Sequence, residues 1–213
     1  MSAEQPARYG RRDTVRRLRL RETQTVSIRR KSPTDAVLTA LIERCRADSL
    51  TYESVGMTKL ASTPRGYHRD QWSRSLGQHD DVFTRACNAL RQWRVHKGAG
   101  LAVVADGPLA VGTMVAMSAP LPVGYIDAVC RVVDIEDEPD RFGFRYGTLS
   151  VHPEQGEESF IVTRSPDDGV VFHIEAVSRS HQLRAKVGGP FARRLQRAAT
   201  RRYLDAMVSA VTD

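Results

Sequence analysis

The sequence predicts an α+β fold: a curved antiparallel sheet of about six to seven strands that grips a long C-terminal helix, with an extra N-terminal helix. Three observations lead to this fold class. Strand-like segments follow one another from residue 100 to residue 178, with turn sequences between them. A long amphipathic helix closes the chain at 188–211, and a shorter helix precedes the strands at 32–47. Strands joined by successive hairpins form an antiparallel sheet, and the long helix must cover its apolar face.

The first helix is predicted over residues 32–47. Ser32 can cap it, and Pro33 suits its first turn. Its apolar stripe comprises Val37, Leu38, Leu41, Ile42 and Cys45. Residues 49–58 are then expected to be extended, and alternating side chains over 66–77 predict a strand.

A second helix is predicted over residues 80–98, with Asp80 or Asp81 as its cap. Its apolar residues recur at steps of three and four: Phe83, Ala86, Leu90 and Trp93. The six strands that follow are predicted near 100–105, 112–118, 124–135, 141–149, 158–164 and 170–178. The turns between them are "ADGP", "APLP", "EDEPD", "HPEQG" and "SPDDG", each of which contains Gly or Pro.

The closing helix has two chemically different faces. At about 100° per residue, its apolar face collects Phe191, Leu195, Ala199, Tyr203, Ala206 and Ala210. Its opposite face collects Arg193, Arg194, Arg197 and Arg201. We expect the apolar face to lie on the sheet and the arginine face to be solvated.

The net charge of +7 comes from the N-terminus. Residues 1–31 hold ten Lys or Arg and three acids, whereas residues 32–213 hold 22 of each sign. We therefore divide the chain into a basic, disordered tail at 1–24 and a single domain at 25–213. Such a tail could touch nucleic acid or an anionic membrane, and a solvated extension is the simpler expectation.

Several classes of protein do not fit the sequence. The tail has no apolar core of a secretory signal, and the apolar stretch 101–124 is interrupted by Asp106 and by several Gly and Pro. The isolated cysteines Cys45, Cys87 and Cys130 favour reduced core thiols in a cytoplasmic protein. No P-loop, dinucleotide-binding glycine motif, nucleophile elbow or H-E-x-x-H pattern occurs, so no cofactor is expected.

The chain contains, in this order, "TYESVGMT", "PRGYH", "ALRQW", "RFGFRYGTLSVHPEQGEESF", "VVFHIEAVSRS" and "GPFARRLQRAATRRYL". These segments resemble an uncharacterised family of bacteria and plants, the domain of unknown function nineteen-ninety. The resemblance spans residues 25–208, and its most specific part is 141–160. Ser150 and Val151 stand where the family usually has Pro-Gly, and "VSRS" at 177–180 stands where "FSRP" is expected.

That family implies no established activity. The order of elements also resembles the helix-grip fold of START domains, birch-pollen-type allergens and polyketide cyclases. This second resemblance implies a hydrophobic pocket between the sheet and the long helix, with the hairpin at 150–157 at its rim.

Strand alternation predicts which side chains face such a pocket. In the strand at 141–149, one face collects Phe142, Phe144, Tyr146 and Thr148. The next two strands extend that face with Phe160, Val162, Phe172, Ile174 and Ala176. The opposite face of the strand at 141–149 collects Gly143, Arg145, Gly147 and Leu149.

A turn centred near residue 153 sets the expected pairing across the hairpin. Tyr146 is expected opposite Phe160, and Thr148 opposite Glu158, whereas Glu157 should point outward. The expected ligand-binding residues are therefore Tyr146, Thr148, Glu158, Phe144, Phe160 and Phe172.

Three other interpretations of this hairpin remain open. In a structural one, His152 shapes the turn while Glu157 and Glu158 pair with arginines. In a catalytic one, Glu158 and Tyr146 act as an acid–base pair, because a carboxyl near apolar walls has a raised pKa. A metal site on His152 is the weakest, since a lone His beside carboxylates is poor evidence for one. We therefore expect no metal.

The first functional hypothesis is a cytoplasmic, cofactor-free protein that holds a small hydrophobic or lipid-like molecule. The alternative from another class is a cyclase- or hydrolase-type enzyme that uses Glu158 and Tyr146. A third hypothesis is a structural domain whose basic tail, within residues 1–31, touches nucleic acid or an anionic membrane.

Overall fold

Eight strands form one curved antiparallel sheet in the structure, a computed structural model that describes residues 28–122, 124–180 and 189–212. For residues 80, 180 and 189–197 it describes the backbone. The strands are β1 (Ile28–Arg29), β2 (His68–Gly77), β3 (Ala102–Ala105), β4 (Met114–Leu121), β5 (Gly124–Glu138), β6 (Arg141–Thr148), β7 (Glu154–Ser165) and β8 (Gly169–Ser180). The predicted tail at 1–24 lies outside the described residues.

The sheet has the order β2-β8-β7-β6-β5-β4-β3, and β1 pairs with β5. From β3 to β8 every strand therefore pairs with its neighbour in sequence, as the succession of turn sequences predicts. The two-residue β1 was not predicted, because it is too short to show an alternating pattern.

In the part of the chain that the structure describes, four α-helices accompany the sheet: α1 (Asp35–Cys45), α2 (Asp80–Arg91), α3 (Arg94–Gly98) and α4 (Gly189–Thr212). The prediction of one continuous helix over 80–98 is wrong, because Trp93 has a φ of 58° and separates α2 from α3. This left-handed conformation is unfavourable for a residue with a side chain. The Trp93 ring is buried and packs edge-on against Phe144, a contact that holds the break in place.

The inner face of the sheet carries the main core, which α2, α3 and α4 cover. The predicted phase of α4 is confirmed where side chains are described, since Tyr203, Ala206 and Ala210 are buried and Arg201 is exposed. The predicted helix residues Phe191, Arg193, Arg194, Leu195 and Arg197 lie outside the described side chains.

The outer face of the sheet is also covered. Leu38, Leu41, Ile42 and Cys45 of α1 pack there against residues of β4 and β5 and against Leu149. The segment from Leu50 to Leu60, which contains a 3-10 helix at Met57–Lys59, covers the neighbouring part. Residues 49–58 are thus a folded loop with turns and not an extended segment.

Within the described part of the chain, no helix has both the length and the apolar character needed to cross a membrane.

Candidate functional site

The hairpin of β6 and β7 forms one end of the sheet's inner face. Tyr146 pairs with Glu158 and Phe144 with Phe160, so the expected pairing of Tyr146 with Phe160 is wrong by two residues. The faces are nevertheless as predicted, because a shift of two residues keeps each side chain on the same side. This pairing centres the turn on His152, one residue earlier than expected, and the His152 amide donates a hydrogen bond to the Leu149 carbonyl at 2.9 Å.

Tyr146 and Glu158 form a direct hydrogen bond. The Tyr146 hydroxyl donates to Glu158 Oε2 at 2.6 Å. Burial raises the pKa of Glu158 to about 7, and the bond from Tyr146, which stabilises the carboxylate, lowers it only in part. Burial and the Glu158 carboxylate raise the pKa of Tyr146. Near neutral pH, Glu158 therefore exchanges a proton while Tyr146 remains a hydrogen-bond donor.

Next to this pair lies a pocket of about 530 Å³ between the end of the sheet and α4. Its apolar walls include Leu101, Ala119, Pro120, Leu121, Pro122, Ile126, Ala176, Ala198 and Ala199. Its polar contributors include Tyr146, Thr148, His152, Glu154, Glu158, Ser178, Arg202 and Tyr203. An apolar cavity with a few convergent polar groups is the usual form of a small-molecule site.

The six predicted ligand-binding residues fall into two sets. Tyr146, Thr148 and Glu158 line the pocket. Phe144, Phe160 and Phe172 are fully buried in the main core and do not line it. They support the pocket instead: the Phe160 ring lies 5.5 Å from that of Tyr146 and 5.4 Å from that of Tyr203.

Glu157 points to the outer face, as predicted, but it does not reach solvent there. Its carboxylate is 2% exposed on the outer face, under the loop of residues 50–60. One oxygen accepts from the Tyr52 hydroxyl at 3.1 Å and the Gly56 amide at 2.8 Å. The other accepts from the Thr58 amide at 3.1 Å and hydroxyl at 2.7 Å. Four donors thus hold Glu157 as the anchor of that loop.

His152 has a structural place in the turn after β6. Its Nδ1 accepts a hydrogen bond from the Glu154 amide at 3.0 Å. Burial lowers the pKa of His152 to about 4, so the ring is neutral near pH 7. Among the described residues, no group of three or more His, Cys, Asp or Glu side chains is placed to hold a metal ion.

Sequence reasoning missed two parts of this site and a buried histidine beside it. Tyr203 and Arg202 line the pocket from α4. The predicted apolar face of that helix already included Tyr203, so Tyr203 could have been assigned to the pocket from the sequence. The hairpin end at Ala119–Pro122 also lines the pocket; its two prolines indicated only a turn. The histidine is His96, which does not line the pocket but is fully buried among aromatic rings near Tyr146 and Tyr203. Trp93 Nε1 and both ring nitrogens of His96 have no hydrogen-bond partner among the described residues.

The family of the chain follows from comparison with known proteins. The model of the family described as "Domain of unknown function (DUF1990)" matches residues 51–206, well over half of the chain. The chain belongs to the DUF1990 family. The resemblance inferred from the segments between 51 and 206 is thereby confirmed.

Curated relatives and one solved structure extend this result. UPF0548 proteins of Deinococcus radiodurans and Dictyostelium discoideum are 29% and 26% identical to this DUF1990 chain, over 84% and 85% of its length and 96% and 94% of theirs. A hypothetical protein from Helicobacter pylori has a similar structure, with a TM-score of 0.50 and 11% identity over 76% of this chain and 96% of that one. At such identity the likeness shows the fold alone, which is the predicted helix-grip arrangement of a curved sheet around a C-terminal helix.

Proposed function

We propose that this DUF1990 protein binds a small hydrophobic or lipid-like molecule in the pocket between the sheet and α4. The observation that carries the proposal is the pocket itself, whose volume of about 530 Å³ lies within the usual range for ligand sites. Its walls are mainly aliphatic, so transfer of an apolar molecule from water into the pocket is favourable.

The Tyr146–Glu158 pair would orient the bound molecule. A protonated Glu158 can donate a hydrogen bond to a carbonyl or hydroxyl group, and an ionised one can accept from a hydroxyl or an amine. The raised pKa makes both forms available near pH 7. One polar group at the end of an otherwise apolar ligand would satisfy this pair.

The test is native mass spectrometry of the protein purified from its own host. We expect a noncovalent adduct that is released on denaturation, together with saturable binding of Nile red by the protein once it is stripped of that adduct. A protein that carries no adduct and binds Nile red without saturation would contradict the proposal.

A second candidate function is acid–base catalysis by Glu158. One observation favours it: burial raises the pKa of this carboxyl to about 7, where a general acid or base is most effective. Tyr146, bonded to Glu158 at 2.6 Å, would orient the carboxyl. Glu158→Gln separates the two functions, because it would abolish turnover of the host-derived molecule but only weaken its binding.

A cytoplasmic location is also part of the proposal. Cys45, Cys87 and Cys130 are all free and buried. Unpaired thiols are typical of a reducing compartment.

A further inference from the structure

A groove between α3 and α4 lies beside the pocket. It has a volume of about 440 Å³, and Arg94, Lys97 and Arg202 contribute its cationic side chains. Small residues let the two helices approach: a Cβ at Gly98 would lie 3.0 Å from the Cβ of Ala206. The floor of the groove is thus made of small residues, and the long cationic side chains line it.

The positive charge of this groove is not neutralised within the described structure. Arg94, Lys97 and Arg202 form no ion pair or hydrogen bond with any described residue. The groove contains one acid, Asp205, whose carboxylate already lies 3.3 Å from the Arg74 guanidinium. The sequence has the same bias, because residues 181–202 hold seven Lys or Arg and no Asp or Glu.

Arg202 belongs to both cavities, since it also lines the apolar pocket. The carboxyl groups of that pocket already have partners: Glu158 accepts from Tyr146, and Glu154 Oε2 accepts from the Ser178 hydroxyl at 2.8 Å. Arg202, which lines both cavities, has no hydrogen-bond or ion-pair partner among the described residues, and an anionic group on the ligand would supply one.

We propose that the ligand is an amphipathic phosphate, whose apolar body occupies the pocket and whose phosphate group lies in the groove at Arg94, Lys97 and Arg202. This inference rests on the proposed function. Guanidinium groups bind phosphate oxygens through paired hydrogen bonds, and an ammonium group adds a point charge. The groove thus supplies recognition of the headgroup that the aliphatic pocket lacks.

The experiment compares two amphiphiles that share a glycerol and a lauroyl chain: lauroyl lysophosphatidic acid and monolauroylglycerol. Binding of each, below its micellar concentration, is measured by calorimetry at low and high salt, with glycerol phosphate as a third probe. The variant is Arg94→Gln with Lys97→Gln, which leaves the pocket walls intact. The control, Arg44→Gln with Arg65→Gln, removes the same charge from exposed positions outside the groove.

We expect the phosphate compound to bind the wild-type protein more tightly by roughly tenfold or more, with a preference that falls as salt rises. The groove variant should lose most of this preference, because Arg202 alone remains of the three cationic side chains, while the control keeps it.

Three results would overturn the inference. Equal affinity of the wild-type protein for both amphiphiles would refute phosphate recognition and leave the proposed apolar ligand standing. Binding of glycerol phosphate without binding of either amphiphile would mean that the groove takes a free phosphate compound, and the proposed function would fail as well. The wild-type protein is also tested on phosphatidylserine vesicles. Binding to these vesicles without any preference between the two amphiphiles would assign the groove to a membrane surface.

Discussion

Glu157 and Glu158 are adjacent in β7, yet their carboxyl groups lie on opposite faces of the sheet in opposite environments. Four donors from the loop of residues 50–60 surround Glu157. Glu158 lines an apolar pocket and accepts one hydrogen bond among the described residues, from Tyr146. The first arrangement stabilises a carboxylate and fixes a loop, whereas the second leaves a carboxyl that is costly to ionise. Two adjacent residues therefore have different surroundings: Glu157 anchors a loop, and Glu158 lines the pocket.

The Glu157→Gln variant should be strongly destabilised. A glutamine keeps one acceptor oxygen, but its amide N–H₂ would face two of the four backbone and hydroxyl donors. We expect a loss of about 2–4 kcal/mol in the free energy of unfolding, measured by urea denaturation. An unchanged unfolding midpoint would show that the loop does not depend on this carboxylate.

The Glu158→Gln variant should show the opposite behaviour, and its effect should depend on pH. The pKa of Glu158 is about 7 in the folded protein and near 4.5 when unfolded, so the folded state binds more protons between these values. Ionisation of Glu158 thus costs the wild-type protein stability as pH rises through this window, whereas glutamine does not ionise. As pH rises from 5 to 7, the free energy of unfolding of the variant, measured by urea denaturation, should therefore rise by about 2 kcal/mol relative to that of wild type. Parallel stability curves of the two proteins would contradict the raised pKa.

His96 should make the stability of the protein depend on pH with the opposite sign. Burial lowers its pKa to about 3, below the ordinary value of 6.5, so the unfolded state binds the extra proton first. Acid should therefore destabilise the wild-type protein through His96. His96→Leu removes this proton site and the unpartnered ring nitrogens. As pH falls from 7 to 5, the free energy of unfolding of the variant, measured by urea denaturation, should rise by about 2 kcal/mol relative to that of wild type. A constant difference would mean that His96 is solvated or partnered.

The inner face of the site could be predicted because strand alternation depends only on neighbouring residues. Tyr146, Thr148 and Glu158 were assigned to one face, and an error of two residues in register did not move them. The register itself depends on the conformation of the turn around His152, which a pattern of apolar and polar residues does not specify.

The outer face could not be predicted in this way. The environment of Glu157 depends on donors at Tyr52, Gly56 and Thr58, about 100 residues earlier in the chain, and no local signal links them. The break at Trp93 is similar, since its left-handed backbone is held by contact with Phe144 on the sheet. Long-range contacts of this kind override local propensity.

The basic tail remains a prediction from sequence. Deletion of residues 1–24 should leave the melting temperature nearly unchanged, because few large apolar residues there could pack on the domain. Heparin binding should weaken and become less dependent on salt. A fall in melting temperature on the order of 10 °C, seen by calorimetry, would show that the tail packs on the domain.

Filling the pocket beside α4 tests the proposal that it holds an apolar ligand. Ala199 lines the pocket, whereas Ala40 is exposed on α1, so Ala199→Phe and Ala40→Phe add the same ring inside and outside the site. The measurement is saturable Nile red binding by the wild-type protein and both variants, after removal of any co-purified molecule. We expect saturable binding by wild type and Ala40→Phe and a loss of at least about tenfold in affinity for Ala199→Phe, with all three proteins folded. Equal affinity of all three proteins would contradict it.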